Sequence, residues 1–391
     1  MSSLREPVGA VVVGGGHAGI EACHALAKTG IKTLLVTMRL DRIGYMSCNP
    51  SIGGLAKSHV VREVDALGGL MGRLADRSGI QFRRLNTRKG PAVRATRVQV
   101  DMSVYAGLAR TELENTHNLE LLEDEAVSLE VNEGRVRGVV LKKHGLVATD
   151  AVILTAGTFL EGRIFIGEED WAGGRMGEPP SSGISNALNE LGIATHRLKT
   201  GTPARLKADS IEFSRLIPQA GDIPPPFLHW NTKETALEQV DCHLTGTNSE
   251  CHDIIRSGLA RSPLFSGRIE GAGPRYCPSI EDKIVRFPAR DHHQIFLEPT
   301  GLDSEEVYAA GISSSLPKDV QESFLRSIEG MEEVEIIKYA YAIEYDSIDA
   351  TGLEPSLESR RVRRLFFAGQ VNGTSGYEEA AGQGLIAGLN A

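Results

Sequence analysis

Apolar runs and polar positions at the start of the chain predict a strand, a turn and a helix. Residues 11–13 are three consecutive valines, and β-branched residues of this kind favour a buried strand. Ile20, Cys23 and Ala27 recur at i, i+3 and i+7, which is the spacing of one helix face. The apolar run at 32–37 predicts a second strand, so the segment is typical of a β-α-β unit.

Three glycines separate the first strand from the helix. Gly14, Gly16 and Gly19 have the spacing G-x-G-x-x-G, in which the first permits a tight turn and the second lets a pyrophosphate approach the backbone. The third lets the helix pack closely on the strand, and free N–H groups at the helix N-terminus attract phosphate. The motif in this setting predicts dinucleotide binding. The second strand ends at 37–39 in Thr-Met-Arg, without the acidic residue that usually binds ribose, which disfavours a plain NAD dehydrogenase.

Later apolar runs predict further strands beside this unit. Residues 126–131 and 136–141 alternate around a hairpin turn, and the strand that follows them ends at Gly157. The buried run at 365–368 leads into a glycine loop at 369–376 and then into a helix. Each of these two strands is followed by glycine, as the first strand is. This repetition indicates a large cofactor that lies across the ends of the strands. The pattern predicts an α/β fold with a Rossmann-like domain.

Glycine- and proline-rich segments predict where the chain leaves this domain. A sharp turn at 199–203 and a breaker segment at 218–226 mark the start of an inserted smaller α/β domain. We predict that residues 1–201 form the first part of the Rossmann-like domain, 202–276 the insert, and 277–391 the return to the first domain.

Composition limits the classes of protein that the chain can represent. The 391 residues are 41% hydrophobic and carry a net charge of −9, so any nucleic-acid site must be a local patch. Five scattered cysteines do not indicate a disulfide framework and fit a reducing cytoplasm. The Cys-His pairs at 242–243 and 251–252 lack the spacing of a known zinc finger, so we predict no metal site. We also expect no signal peptide and no membrane span.

One segment, residues 81–99, has a strong positive charge. It contains no acidic residue, and its six basic residues are Arg83, Arg84, Arg88, Lys89, Arg94 and Arg97. This asymmetry in an acidic chain predicts a phosphate-binding surface for nucleic acid or cofactor. The alternative is a solvated face that pairs with carboxylates elsewhere in the fold.

Two cysteines stand in settings that lower the pKa of a thiol. Cys48 lies in a loop that leads towards a helix at 55–67. Cys277 precedes Ser279, a candidate N-cap, and has cationic neighbours in Arg275 and Lys283. Helix N-termini and nearby cations favour the thiolate. The alternative for both is a small buried side chain that only packs.

Six stretches together resemble the MnmG (GidA) family from about residue 8 to the end. They are GGGHAGIEA at 14–22, MSCNP at 46–50, KGPAVRATR at 89–97, RLKTGTP at 197–203, PRYCPSIEDK at 274–283 and FAGQVNGTSGYEEAA at 367–381. The resemblance implies a FAD-binding domain of the glutathione-reductase-like flavoprotein class with an inserted smaller α/β domain. Family members continue into a helical C-terminal region, which we expect to be absent from this chain.

The resemblance implies an enzyme that modifies tRNA in the cytoplasm as a homodimer. With the GTPase MnmE, the family adds a carboxymethylaminomethyl or aminomethyl group at carbon 5 of the wobble uridine. It uses FAD, NADH and methylenetetrahydrofolate, with glycine or ammonium as the source of the amine. NADH is then expected on the side of the insert.

The same resemblance assigns roles to individual residues. For FAD they are Gly14, Gly15, Gly16, His17, Ala18, Gly19, Val127, Ser181 and Gln370. For NAD they are Gly273, Pro274, Arg275, Tyr276, Ser279, Lys283 and Phe287. For tRNA phosphates we assign four residues of the basic segment, Arg84, Arg88, Lys89 and Arg94.

Three residues are candidates for catalysis. A thiolate that adds to carbon 6 of uracil makes carbon 5 nucleophilic, and the family match offers Cys48 and Cys277 for this step. We favour Cys277 as the nucleophile because of its cationic neighbours. Lys199 would hold a phosphate or polarise a uracil carbonyl.

Three different functions also fit parts of the sequence. A TrmFO-like tRNA uridine methyltransferase, dependent on folate and FAD, shares the glycine motif and is also short. The stretches at 276–279 and 46–50 favour the MnmG family over it. The second is a flavoprotein that binds FAD without turnover, and the third is a plain NAD(P)H oxidoreductase.

Overall fold

The computed structural model describes residues 6–273 and 278–391, which form twenty strands and nine α-helices. The strands are β1 Val8–Val13, β2 Thr33–Thr37, β3 Ser51–Gly53, β4 Gly79–Leu85, β5 Ala95–Val100, β6 Leu119–Glu123, β7 Ala126–Asn132, β8 Arg135–Leu141, β9 Gly145–Leu154, β10 Arg163–Ile166, β11 Glu169–Ala172, β12 Thr195–Thr202, β13 Arg205–Lys207, β14 Ile217–Gln219, β15 Cys242–Gly246, β16 Gln294–Pro299, β17 Glu306–Ala310, β18 Ile336–Lys338, β19 Tyr341–Ile348 and β20 Leu365–Phe367. The helices are α1 His17–Lys28, α2 Lys57–Ala66, α3 Met71–Ser78, α4 Met102–Glu114, α5 Ile184–Glu190, α6 Ser249–Gly258, α7 Ile280–Arg286, α8 Lys318–Arg326 and α9 Tyr377–Asn390.

A seven-stranded sheet carries the glycine turn. Its order is β6-β2-β1-β9-β8-β7, and β20 also pairs with β9. β1 runs parallel to β2 and β9, and β20 runs parallel to β9, so the carboxyl ends of these strands share one edge. Val11 and Val12 are fully buried although their side chains point to opposite faces, because parallel sheets are covered on both sides. The predicted Rossmann-like α/β fold is confirmed.

An antiparallel meander extends this sheet as the alternating runs predicted. β7 pairs with β8, and β8 pairs with β9. Between β7 and β8, Glu133 and Gly134 have φ angles of 50° and 68°. Positive φ at both central residues is what a two-residue hairpin turn requires. The predicted hairpin is therefore confirmed.

The last helix of the chain packs backbone to backbone on the first. A Cβ atom added at Gly384 would overlap the carbonyl oxygen of Ala18, and one added at Gly388 would lie 2.5 Å from the carbonyl oxygen of Ala22. Only glycine allows α9 to approach α1 this closely. As a result the loop at 369–376, which precedes α9, lies beside the glycine turn that precedes α1.

Three further sheets complete the described structure. Their orders are β11-β10-β19-β12, β14-β15-β16-β17-β13-β18 and β3-β5-β4. The six-stranded sheet takes strands from 205 to 338, and helices α6, α7 and α8 share its hydrophobic core. It therefore includes segments on both sides of residue 276. The division into 1–201, 202–276 and 277–391 stays a prediction.

Neither a membrane span nor a metal cluster occurs within 6–273 and 278–391. No helix there is long and apolar enough to cross a bilayer. No group of three His, Cys, Asp or Glu side chains in those ranges is arranged to hold a metal ion. The cysteines of the same ranges form no disulfide; they are Cys23, Cys48, Cys242 and Cys251.

Candidate functional site

The glycine turn between β1 and α1 has the shape that its spacing predicts. Gly14 has a φ of 114°, and a Cβ atom there would lie 2.5 Å from the carbonyl oxygen of Thr155. A Cβ atom at Gly19 would overlap the carbonyl oxygen of Gly14. At Gly16 an added Cβ atom meets nothing within 4 Å. Gly14 and Gly19 thus close the turn, and Gly16 presents open backbone to solvent and ligand.

Two cavities meet at this turn. The first cavity, of about 720 Å³, runs from Gly14 past Arg39 and Asp124 to Ser181. The second cavity, of about 1310 Å³, extends from the start of α1 to the loop before α9. Both are lined by Gly16, Tyr45, Thr155, Gly157, Phe159 and Arg175, so they form one continuous space. This space lies at the carboxyl ends of β1 and β9, where α/β sheets bind their ligands.

Most residues assigned to FAD lie on these two cavities. Those on the first are Gly14, Gly15, Gly16 and Ser181, and those on the second are Gly16, His17, Ala18 and Gln370. Gly19 and Val127 line neither cavity. Gly19 packs on Gly14, and the carbonyl of Val127 lies 2.5 Å from a Cβ atom added at Gly183.

His17 is a buried polar side chain at the junction of α1 and the second cavity. It is 6% exposed, and its Nε2 has no hydrogen-bond partner in the described structure. Its ring stacks on Tyr377 with 4.3 Å between ring centroids. Burial lowers the pKa of His17 to about 3, so the imidazole is neutral near pH 7. A neutral ring with a free nitrogen is suited to a hydrogen bond with a ligand in the cavity.

Cys48 lies in the second cavity on a loop that is held from both sides. The backbone N–H groups of Cys48 and Asn49 donate to the Tyr377 hydroxyl oxygen at 2.7 and 3.1 Å. The carbonyl of Ser47 accepts a hydrogen bond of 2.8 Å from Arg205. These anchors hold a half-buried thiol against the space that begins at the glycine turn.

The surroundings of Cys48 differ from the prediction in one respect. The helix expected after the loop is present as α2, but β3 separates it from Cys48 because 51–53 pair with β5. The predicted helix is therefore confirmed, and a short strand that was not predicted lies between it and Cys48. The nearby helix N-terminus belongs to α9, whose first residue is Tyr377.

The segment at 274–283 is only partly described. Pro274, Arg275, Tyr276 and Cys277 lie outside the described residues. Ser279 is the N-cap of α7 and accepts a hydrogen bond from the N–H of Asp282, which confirms the predicted cap. The other residues assigned to NAD do not line the first or second cavity: Gly273 and Phe287 are exposed, and Lys283 donates to the Gly311 carbonyl at 2.6 Å.

Lys199 lies beside the second cavity and does not line it. It is 3% exposed on β12, opposite Glu344 of β19. It lines a cavity of about 210 Å³ that also includes Gly201, Ser279 and the serines at 313–315. Gly201 lines the second cavity as well, so the two spaces are neighbours. The role of Lys199 in catalysis stays a prediction.

The basic segment divides into two groups of residues. Arg83 donates to the Ala220 carbonyl at 2.5 Å, and Arg97 forms an ion pair with buried Glu298. The side chains of Arg84, Arg88, Lys89 and Arg94 have no carboxylate within 4.0 Å in the described structure. The four residues assigned to tRNA thus keep their positive charge in the described structure, as does Arg83, whose partner is a neutral carbonyl, and Arg97 is the member of the six with an ion pair.

Some features of the site have no signal in the local sequence. Arg205 lies 158 residues from its partner Ser47, and Tyr377 lies 329 residues from Cys48. The guanidinium of Arg175, a residue that was not among the predicted site residues, lies 4.4 Å from the centroid of the Tyr45 ring. Helical spacing on α2 could have linked His59 with Arg62, which line a third cavity together with Arg84 and Arg94.

The parallel sheet, the glycine turn and the joined cavities define an α/β protein of the flavoprotein class. A family model described as glucose inhibited division protein A matches residues 9–391. The chain belongs to this family.

Comparisons with curated proteins and with solved structures support this family assignment. The chain is 56% identical, over 381 residues, to the tRNA uridine 5-carboxymethylaminomethyl modification enzyme MnmG of Pelobacter propionicus. The match covers 97% of this chain and 61% of that protein, and the figures are the same for MnmG of Geobacter sulfurreducens. The form I crystal structure of GidA from Aquifex aeolicus is 50% identical in sequence to this chain and superposes on it with a TM-score of 0.94. This match covers 98% of this chain and 65% of the Aquifex chain. This chain thus spans about three fifths of the length of the curated relatives that it matches.

Proposed function

We propose that this chain is the FAD-binding, catalytic part of a tRNA uridine 5-carboxymethylaminomethyl modification enzyme. One observation supports the proposal above all. A cavity that starts at a dinucleotide-type glycine turn contains Cys48, in a chain 56% identical to enzymes of that name. A thiol beside a cofactor cavity is the arrangement that chemistry at carbon 5 of uridine needs.

The residues of the first and second cavities fit FAD. The open backbone at Gly16 admits a pyrophosphate, and the N-terminus of α1 supplies unpaired N–H groups to it. His17 offers a buried nitrogen without a partner, and Gln370 lines the same space. The joined cavities have room for a two-part cofactor with an adenine and a flavin end. We assign the first cavity to the adenine nucleotide and the second to the flavin.

FAD, with NADH as its reductant, would be the redox cofactor of the enzyme that joins a one-carbon unit from methylenetetrahydrofolate to uracil. The residues of this chain would surround the flavin ring and hold the Cys48 thiol in position. α9 begins at the second cavity, and the positive end of its dipole favours negative charge there. Loss of hydration raises the pKa of Tyr377 well above its usual range, so it stays a neutral phenol that can hold the Cys48 loop.

Cys48 would act as the nucleophile on uracil. Its thiolate forms a bond to carbon 6, and the electron pair of the double bond moves to carbon 5 and the carbonyl at carbon 4. Carbon 5 would then attack the methylene carbon of the iminium form of methylenetetrahydrofolate, and the electron pair of the C=N bond would move to the folate nitrogen. A base would take the proton of carbon 5 as tetrahydrofolate leaves, which gives an exocyclic methylene group. The amine of glycine or ammonia would add to that methylene and lose a proton, and the sulfur would leave as thiolate to restore the double bond between carbons 5 and 6. Cys277, which the sequence favours for this role, lies outside the described residues and stays the alternative nucleophile.

The remaining parts of the proposal concern partners. Arg84, Arg88, Lys89 and Arg94 would contact tRNA phosphates, and the wobble uridine must leave its stack to reach the second cavity. The GTPase MnmE would act with the chain, a homodimer would be the working unit, and the cytoplasm would be its compartment. The family resemblance supports these three points.

The direct test is nucleoside analysis of tRNA after incubation with the FAD-loaded chain, MnmE with GTP, NADH, methylenetetrahydrofolate, and glycine or ammonium. We expect carboxymethylaminomethyl- or aminomethyluridine with the unaltered chain and none with Cys48→Ser. Normal product with Cys48→Ser would remove its role as nucleophile and leave Cys277. The appearance of 5-methyluridine would instead indicate a TrmFO-like methyltransferase. FAD binding without any product would identify a non-catalytic fragment.

A further inference from the structure

A third cavity, separate from the first two, is surrounded by positive charge. It has a volume of about 650 Å³ and lies between α2 and the hairpin formed by β4 and β5. Its lining consists of Ser58, His59, Arg62, Arg84, Arg94, Ala95 and Thr96. No acidic side chain is among these lining residues of the described structure.

The three arginines keep their charge because none of their guanidinium groups forms an ion pair with a described carboxylate, and those of Arg62 and Arg94 donate to neutral carbonyls. Arg62 donates to the carbonyl of Phe227 at 2.8 Å, and Arg94 donates to the carbonyl of Lys89 at 3.1 Å. Arg84 bonds to Asp222 through its backbone N–H, and its guanidinium makes no ion pair with any described carboxylate. Carbonyl contacts of this kind restrict a guanidinium without neutralising it. The cavity is therefore prepared for an anion that can accept several hydrogen bonds.

The base of the cavity is fixed by contacts between α2 and β5. The hydroxyl of Ser58 accepts a hydrogen bond of 3.1 Å from the N–H of Thr96. His59 adds an imidazole whose Nδ1 is buried without a partner in the described structure. The three arginines, which are all exposed, thus stand on two parts of the fold that this hydrogen bond holds together.

The third cavity is adjacent to the second one along α2. Lys57, the first residue of α2, lines the second cavity and forms ion pairs with Glu378 and Glu379. Ser58, His59 and Arg62 follow within the next two turns and line the third. At a rise of about 1.5 Å per residue, Arg62 lies roughly 8 Å further along the helix than Lys57. One nucleotide unit is of comparable length, so neighbouring parts of one RNA strand can occupy both cavities.

We propose that the third cavity binds one backbone phosphodiester of RNA, next to the nucleotide whose base enters the second cavity. The inference rests on the proposed function. Enzymes that act on a base must extrude it from its stack, and contacts to flanking phosphates fix the position of the strand. Arg62 and His59 thereby join Arg84 and Arg94 in a defined phosphate site. Free inorganic phosphate could make the same hydrogen bonds to these residues. The experiment below distinguishes it from an RNA phosphodiester.

The experiment measures binding of a fluorescent anticodon stem-loop RNA to the FAD-loaded chain by anisotropy. Single phosphates on either side of the wobble uridine are replaced by neutral methylphosphonates. One replacement should weaken binding to the unaltered chain about tenfold, which equals about 1.4 kcal/mol. Arg62→Gln and Arg94→Gln should each bind about tenfold more weakly, and that same methylphosphonate should then have no additional effect.

The control is Arg137→Gln, which removes an exposed arginine of the β7–β9 meander. It should keep the affinity of the unaltered chain within twofold and keep the full methylphosphonate effect. Flavin fluorescence and a melting curve show for each variant that the fold and the FAD site are intact.

Several results would overturn the inference, and they are distinguishable from failure of the proposed function. A methylphosphonate effect that persists in Arg62→Gln would place the phosphate elsewhere while RNA binding stands. An FAD-loaded chain that binds no RNA would overturn the tRNA part of the proposed function together with the phosphodiester site, which separates this result from the first. If inorganic phosphate raises the melting temperature of the unaltered chain but not of Arg62→Gln, and no single methylphosphonate matters, the site takes free phosphate and the RNA assignment is wrong.

Discussion

The glycine turn at 14–19 and the loop at 46–50 line the same cavity but are shaped in different ways. The turn is closed by contacts among its own residues and Thr155, chiefly the approach of Gly19 to the Gly14 carbonyl. The loop takes its position from Arg205 and Tyr377, which are 158 and 329 residues away from their partners in it. One half of the site is thus local in sequence and the other half depends on the complete fold.

The largest effect should come from Gly19→Ala, which tests the local half. The added methyl group would overlap the Gly14 carbonyl, so the turn must shift. We expect a loss of about 3 kcal/mol in unfolding free energy, at the upper end for overpacking, together with loss of FAD binding. Denaturant unfolding and a flavin fluorescence titration measure the two effects.

Gly107→Ala is the matched control, because a Cβ atom there meets nothing within 4 Å on the exposed face of α4. It should stabilise the chain by up to about 1 kcal/mol through helix propensity. Equal effects of the two substitutions would show that the close approach at Gly19 is unimportant.

The second prediction concerns the pH dependence of stability and the carboxylate of Glu21, which connects α1 to the start of α3. Its carboxylate accepts hydrogen bonds from the N–H groups of Leu70 and Met71, yet burial raises its pKa from 4.5 to about 7. The folded chain therefore binds a proton more tightly than the unfolded chain between these two pH values. This contribution to stability is full below pH 4.5, falls as pH rises, and is lost above about pH 7.

We expect the Glu21 contribution to amount to about 3 kcal/mol between about pH 4.5 and 8. Urea unfolding at several pH values gives the unfolding free energy of the unaltered chain and of Glu21→Gln. The slopes of these free energies against pH are then compared. The substituted chain should lose less stability as pH rises. Parallel curves would mean that Glu21 ionises in the folded chain as it does in water.

A smaller effect is expected from Tyr377→Phe, which tests the long-range half. The phenylalanine ring keeps the stack on His17 but leaves the N–H groups of Cys48 and Asn49 without their acceptor. We expect a loss of about 2 kcal/mol and faster alkylation of Cys48 by iodoacetamide, since the loop is less restrained. Tyr105→Phe is the control, because Tyr105 also lies beside His17 and makes no bond to the loop. An unchanged alkylation rate in Tyr377→Phe would show that Arg205 alone holds the loop.

The same contrast explains how much the sequence predicted. The glycine turn, the hairpin at 132–135 and the Ser279 cap depend on residues within a few positions of one another, and all three were predicted. The strand between Cys48 and α2 was missed because 51–53 pair with β5, far along the chain. The anchors of the Cys48 loop and the partners of Arg84 in the third cavity were missed for the same reason. Motif resemblance proposed which residues form the site, and it could not show what holds them in place.

The central claim is that the two halves form one site, with FAD extending from the glycine turn to Cys48. The most direct measurement is the rate at which iodoacetamide alkylates Cys48, followed by peptide mass analysis with and without FAD. We expect bound FAD to slow alkylation of Cys48, because the flavin would occupy the cavity that this thiol lines, while buried Cys23, Cys242 and Cys251 stay unreactive in both conditions. Binding of FAD, seen by fluorescence, with no change in the Cys48 rate would contradict the claim.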